Sequence, residues 1–343
     1  MEAQGRIIWM DMAKGGSILL VVQFHLSYIV GQITPVNQIY WWLNDFLIPI
    51  RMPIFFVVSG YFARRSLQLP WRALLQKKTL FYFYIFSVWN VINFGIEAIY
   101  YPHLDHSFSA LVSSWYKPAS ILWFIWALMF YFVIAKLGGT KPSQRIVVVL
   151  VTLIGFIMVT AEFVVFEAPV HNQVLVFTPF FLFGAWGFDF IKQFLVRRTG
   201  LVFLLSTFLY LAVRWAVEEP TGLGATISYF IQAALGVLAA STACILSESI
   251  ALVRKPLSYI GQNTLPIYVS HVFIANIVMF FLIPEWLLNL RGSEYYMVPL
   301  MIVVSCFMAL QIKFLSDLLG QKWLFQLPKP LALREHPRST INV

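Results

Sequence analysis

Charge is scarce in this sequence: Asp, Glu, Lys and Arg make up 11% of 343 residues, against about 25% in an ordinary soluble domain. That scarcity excludes a water-soluble globule, because too little polar surface is left to cover one. Cysteine is scarcer still. Cys244 and Cys306 both lie in apolar runs, which excludes a disulfide framework and a cysteine-based metal site. Acid is rarer than base, 15 residues against 24, for a net charge of +9. A basic chain suggests nucleic acid, yet no block of Lys and Arg alternates with stacking aromatics in a polar context, so nucleic acid is excluded as a partner. The first apolar segment lacks the basic start and the small-residue cleavage site of a signal peptide. Glu2 and Asp11 stand where the basic residues belong, and the segment reads as a retained span. Internal repeats, long linkers and low-complexity tracts are also missing. The chain therefore reads as a single membrane domain over 1–343, with spans within about 7–318 and a tail over 319–343.

What is abundant is apolar mass. Hydrophobic residues make up 60% of the chain, and the mean hydropathy is +0.77. Runs long enough to cross about 30 Å of hydrocarbon recur near 7–31, 40–62, 79–100, 119–136, 146–166, 173–191, 201–217, 226–247, 263–284 and 296–318. This predicts an all-α, polytopic integral membrane protein of about ten transmembrane helices.

Loop charge alternates along these spans. Arg64, Arg65, Arg72, Lys77 and Lys78 follow the second; Lys136, Lys141 and Arg145 the fourth; Lys192, Arg197 and Arg198 the sixth; Arg254 and Lys255 the eighth. The tail adds Lys322, Lys329, Arg334 and Arg338. Intervening loops carry mostly acids: Asp105, Glu162, Glu167, Glu218, Glu219, Glu285 and Glu294. Lys117, Arg214 and Arg291 are exceptions. The positive-inside rule places the basic loops and both termini in the cytoplasm, which an even number of spans satisfies. Trp41, Trp42, Trp115 and Trp286 fall near the opposite boundaries, where interfacial aromatics belong.

Charges inside a span are costly and need a reason. The first span holds Asp11, Lys14 and His25. At about 100° per residue, the eleven-residue step from Lys14 to His25 closes three turns to within about 20°, and Asp11 falls close to the same face. One stripe thus carries a carboxylate, an ammonium and an imidazole, with Lys14 and His25 about 16 Å apart along the axis. The plainer alternative is an Asp11–Lys14 pair at the interface and a His25 that bonds a neighbouring helix. In the second span Arg51 stands between Pro49 and Pro53. Proline removes a backbone donor and kinks a helix. Broken helix inside a membrane faces protein or a watery cavity, so the spacing predicts a break at Arg51 and a guanidinium suited to phosphate or carboxylate. Ser59 and Gly60 offer a small surface for close helix packing.

These segments resemble the membrane acyltransferase family 3. The resemblance is carried by Asp11-x-x-Lys14-Gly15, the ten residues between Lys14 and His25, and Arg51-Met52-Pro53-x-Phe55-Phe56-x-x-Ser59-Gly60. Three later stretches add to it: Trp123-Phe124-x-x-Ala127-Leu128, Phe180-Phe181-x-x-Gly184, and Gly261-x-x-Thr264-Leu265-x-Ile267-Tyr268-x-x-His271. It covers about residues 6–271. The family's usual Arg is Lys14 here, a point charge without the bidentate fork. Many relatives add a soluble esterase-like domain, for which this sequence has no segment.

The resemblance implies a bacterial inner-membrane enzyme. It would move an acyl group, by default acetyl, from cytoplasmic acyl-CoA to a hydroxyl of a glycan, glycolipid or other envelope acceptor. His25 becomes general base or acyl relay, with Asp11 and Lys14 sharing its stripe. Arg51, Lys14, Arg64, Arg65, Arg72 and Trp123 are expected toward acyl-CoA; Trp126 is a further cavity candidate. His271 and Asn263, with Thr264 and Ser270, are expected toward the acceptor. Acetyl-CoA is a co-substrate, and no metal is expected. His103, His106 and His171 read as solvated loop residues without metal spacing, as do Glu162, Glu218 and Glu219; His336 is assigned nothing. A secondary transporter is the rival, since the same charges suit a substrate path, although no second broken helix pairs with the Arg51 segment.

Overall fold

The computed structural model describes residues 7–118, 121–216 and 221–328. Among them the chain is helical throughout, with no strand. In order the main helices are α1 (Ile8–Gly31), α2 (Gln38–Phe46), α3 (Ile48–Leu67), α4 (Trp71–Tyr100), α5 (Trp123–Leu137), α6 (Pro142–Thr160) and α7 (Pro169–Arg197). They continue with α8 (Thr199–Ala216), α9 (Gly222–Ser247), α10 (Ala251–Gln262), α11 (Thr264–Leu282) and α12 (Ser293–Leu318). Eight are long and apolar enough to cross a bilayer, and the bent pair α2–α3 makes nine. The segment expected at 119–136 forms α5, whose 15 residues fall short of the roughly 20 needed for a full crossing.

Burial sorts the helices. In α1 and α11, 61% of the apolar stretch is buried, against 17% in α6 and α8. The first two form the centre of the bundle and the last two its rim. Val151, Leu204 and Phe208 on the rim are each more than 60% exposed, apolar surface that lipid covers at low cost.

The second span breaks elsewhere than at Arg51. The 52° bend falls between α2 and α3, at Leu47, and Arg51 itself is helical and buried. Pro49 sits in the first turn of α3, where an N–H has no intrahelical acceptor, so it starts the helix instead of breaking it. Asn37 starts α2 by accepting the Ile39 N–H at 3.0 Å.

Two pairs of glycines set the tightest crossings. A Cβ on Gly15 would lie 2.0 Å from the Leu257 carbonyl oxygen, and one on Gly261 would lie 1.8 Å from that of Asp11. Here α1 and α10 touch backbone to backbone. Gly60 and Gly184 repeat the arrangement between α3 and α7, with would-be Cβ atoms 2.0 Å from the Phe181 oxygen and 1.9 Å from the Val57 oxygen. Close approach of this kind gives helices in lipid their packing energy.

Helix direction follows from side-chain contacts. Arg51 lies against Phe24, and Lys14 against Phe62, so α1 and α3 are antiparallel. Gly15 meets Gly261 and His25 meets His271, so α11 runs alongside α1 in the same direction. One end of the bundle gathers Lys14, Arg64, Lys136 and Lys192 and is called the basic end below. At the far end Arg214 pairs with Asp45, and Lys117 donates to Glu167 at 2.6 Å. Both pairs are largely exposed. The Lys117 ammonium holds the Glu167 carboxyl below the usual carboxylate range. Two of the three basic residues that break the loop pattern are thus neutralised by an acid.

Candidate active site

The first span delivers His25 to the centre of the bundle, where it meets a histidine 246 residues away. His271 Nε2 lies 3.2 Å from His25 Nδ1, and the ring centroids are 5.2 Å apart. Hydrogen-bond accounting assigns the protons. His271 Nδ1 sits 3.0 Å from the Ile267 carbonyl oxygen and 2.8 Å from that of Tyr268, so it must carry hydrogen and donate. In a neutral ring the other nitrogen is then an acceptor. His25 Nδ1 faces that acceptor and also the Val21 carbonyl oxygen at 2.9 Å, so it too donates. The lone pair of His25 is left on Nε2. His271 is fully buried and His25 half-buried, so the accepting nitrogen belongs to the ring that a substrate can reach.

Arg51 completes this centre. Its guanidinium stacks 4.0 Å from the Phe24 ring centroid, and Arg51 is 7% exposed. Its Nη1 is buried with no hydrogen-bond partner. Tyr28, Tyr229 and His25 lie close enough to feel its charge. A buried guanidinium nitrogen left unpaired is costly and marks a place for an incoming acceptor oxygen.

Tyr268 ties the centre to α5. Its hydroxyl receives the Phe124 N–H, one of the orphan donors of that helix's first turn, and donates to the Ile121 carbonyl. The Tyr268–His271 segment and the Trp123–Leu128 segment are therefore one structural unit. Trp123 belongs to an aromatic cluster with Phe56 and Phe177, at ring separations of 5.8 and 5.7 Å. Trp126 donates from Nε1 to the Trp115 carbonyl at 2.9 Å.

A second station lies at the basic end, about 16 Å from His25 along α1. Lys14 is half-buried, with Nζ 5.9 Å from the Phe62 ring centroid. Arg64 pairs with Asp189 and stacks 5.2 Å from the Tyr61 centroid, while Lys192 donates to the Tyr61 hydroxyl at 3.3 Å. Arg65 and Arg72 are exposed. Asp11 is buried at the α1–α10 crossing. Asn263 lies in the turn between α10 and α11, where its amide donates to the Tyr259 carbonyl at 2.9 Å. It is eight residues, about 12 Å along the helix, from His271. The residues singled out from sequence thus divide into two groups: His25, His271 and Arg51 meet at the centre, while Asp11, Lys14, Asn263 and Arg64 lie toward the basic end.

Some expectations change and some residues were missed. His106 is only partly exposed: Nε2 lies 3.0 Å from the Tyr101 carbonyl oxygen, and the ring meets Phe94 edge-on at 5.4 Å. His171 likewise folds in, 2.9 Å from the Tyr116 carbonyl oxygen. Glu218, Glu219 and His336 lie outside the described residues. Glu97, a carboxylate inside α4, escaped notice, although Asn90, Asn93 and Glu97 recur at the three- and seven-residue steps of one helical face. Among the described residues no three His, Cys, Asp or Glu side chains gather to hold a metal ion.

A multi-pass helical bundle with a histidine pair beside an arginine whose Nη1 is buried without a partner defines a class of membrane protein with a polar centre inside its spans. Residues 7–316 match the family described as Acyltransferase domain, and the chain belongs to that family. It is similar to the inner membrane protein YcfT of Escherichia coli (strain K12), with 25% identity over 303 residues, 79% of this chain and 80% of that protein. No solved structure matches. Family membership favours group transfer over solute transport as the purpose of the buried charges.

Proposed function

We propose that this membrane acyltransferase moves an acyl group, most simply acetyl, from acyl-CoA to a hydroxyl of a glycan, glycolipid or other cell-envelope acceptor. The observation that carries the reading is the His25 Nε2 lone pair, oriented by His271 and set beside Arg51. A thioester is already activated, so the enzyme mainly has to deprotonate the acceptor and steady the developing negative charge. The acceptor hydroxyl gives its proton to His25 Nε2 as its oxygen attacks the thioester carbonyl. Arg51 Nη1 is suited to the resulting oxyanion. The C–S bond then breaks, and the imidazolium returns its proton to the leaving CoA sulfur. An acyl-histidine formed at the same Nε2 is the other route, and it lets the acceptor react without meeting CoA.

The basic end suits CoA's phosphates, with Lys14, Arg64, Arg65 and Arg72 there or nearby. The distance from Lys14 to His25 suits an extended pantetheine arm lying along α1. In this reading the basic end faces the cytoplasm, following the positive-inside rule, and the protein resides in a bacterial inner membrane, as YcfT's name says of that relative.

The test is purified protein in lipid nanodiscs, given labelled acetyl-CoA and envelope glycan or glycolipid fractions. Label should pass to an acceptor fraction with wild type and fall at least about a hundredfold with His25→Ala. No transfer to any fraction and no consumption of acetyl-CoA would sink the reading. Label trapped on the protein without acceptor favours the acyl-histidine route.

A further inference from the structure

α4 carries a polar face that the acyl-transfer centre does not use. Asn90 donates from its amide to the Ser114 hydroxyl at 2.6 Å. One turn on, Asn93 is 7% exposed, and its Nδ2 is buried without a partner. One further turn on is Glu97. His106 and Tyr101 are both close enough to interact with its charge. His106 Nδ1 is a second buried polar atom without a partner. Three side chains of different hydrogen-bonding character therefore converge: an amide donor, a carboxylate acceptor and an imidazole that can do either. The Phe94 and Tyr101 rings stand beside them.

The cluster lies on the far-end side of the reactive centre. Tyr101 donates its hydroxyl to Gln32 at the end of α1, at 3.2 Å, and Gln32 is seven residues beyond His25, about 10 Å along the helix. Tyr100 packs on Phe280 of α11 at 5.1 Å, so both helices that carry the histidines border this corner. Unpartnered buried polar groups are expensive, and their concentration here calls for a ligand with several hydroxyls. A carboxylate at the centre disfavours an anion. Amide, carboxylate and imidazole next to aromatic faces match the alternating polar edge and apolar face of a sugar ring.

We propose that Asn93, Glu97 and His106 form a subsite that binds adjacent hydroxyls of a sugar, holding one unit of a glycan acceptor while another reaches His25. The proposal rests on the acyltransferase reading for its purpose, but not for its test. Saturation-transfer NMR is run on His25→Ala protein in nanodiscs with maltose as probe, so no chemistry is required. Maltose ring protons should receive saturation, and Glu97→Gln and Asn93→Leu in that background should raise the Kd roughly tenfold or more. Glu97→Gln keeps the side-chain volume and decides the matter if Asn93→Leu fails to fold. Absence of maltose saturation with the parent protein, or equal affinity in the variants, overturns the subsite. Neither result bears on whether acetyl-CoA is consumed, so the two readings fail separately.

Discussion

At the scale of single residues the account turns on two imidazoles. In this account His271 positions His25 by accepting from Nδ1. His271→Leu removes that acceptor and frees the His25 ring, whereas Gln offers an oxygen in its place. The expected result is a fall in turnover of about ten- to a hundredfold for Leu, partial recovery for Gln, and little change in KM for acetyl-CoA, read from initial rates. Arg51→Gln should lower kcat more than it raises KM, because the group is placed for charge that develops in the transition state. The placement of Asp11, Lys14 and His25 on one helix was legible because helical periodicity is a local property. The His25–His271 contact was not, since nothing in a single sequence says which of ten apolar helices lie side by side. Glu97 was hidden for another reason: it sits at the end of a span beside a polar loop, and only its four- and seven-residue spacing to Asn93 and Asn90 separates it from a solvated acid.

At the scale of elements, motif glycines hold the helices in place. Gly15 and Gly261 belong to segments far apart in sequence, as do Gly60 and Gly184, and each pair is one backbone crossing. Gly261→Val places a branched side chain against the Asp11 carbonyl. A loss of stability of about 1–3 kcal/mol or more is expected, seen as a lower midpoint in thermal unfolding followed by size-exclusion fluorescence. Gly16, with nothing within 4 Å of its would-be Cβ, should accept Ala with little effect and serves as the control. The close-packing role of Gly60 could be read from Ser59-Gly60; its partner could not. The position of the helix break was misread because proline has two meanings. Inside a helix it kinks, but in the first turn it initiates, and only the backbone distinguishes Pro49 from Pro53.

At the scale of the whole molecule, composition made the membrane bundle legible, because apolar mass without charge leaves no other solvent. Orientation rests on loop charge. With Cys244 and Cys306 replaced by Ala, single cysteines at Arg65 and Arg254 should resist a membrane-impermeant maleimide in intact cells, and cysteines at Asp105 and Glu162 should react. The reverse pattern would turn the bundle over and place the basic station outside. The two stations, one basic and one imidazole-bearing, lie along the same helix, so orientation also sets the side on which acyl-CoA is used.

The central claim is that His25 Nε2, held by His271, is the atom on which acyl transfer from CoA depends, as the base that takes the acceptor's proton or as the acyl relay. It is tested most directly by release of free CoA thiol from acetyl-CoA by purified protein in nanodiscs with envelope acceptor. Thiol should appear with wild type, slow about ten- to a hundredfold with His271→Leu, and vanish with His25→Ala at unchanged protein folding. Full thiol release by His25→Ala would contradict the account.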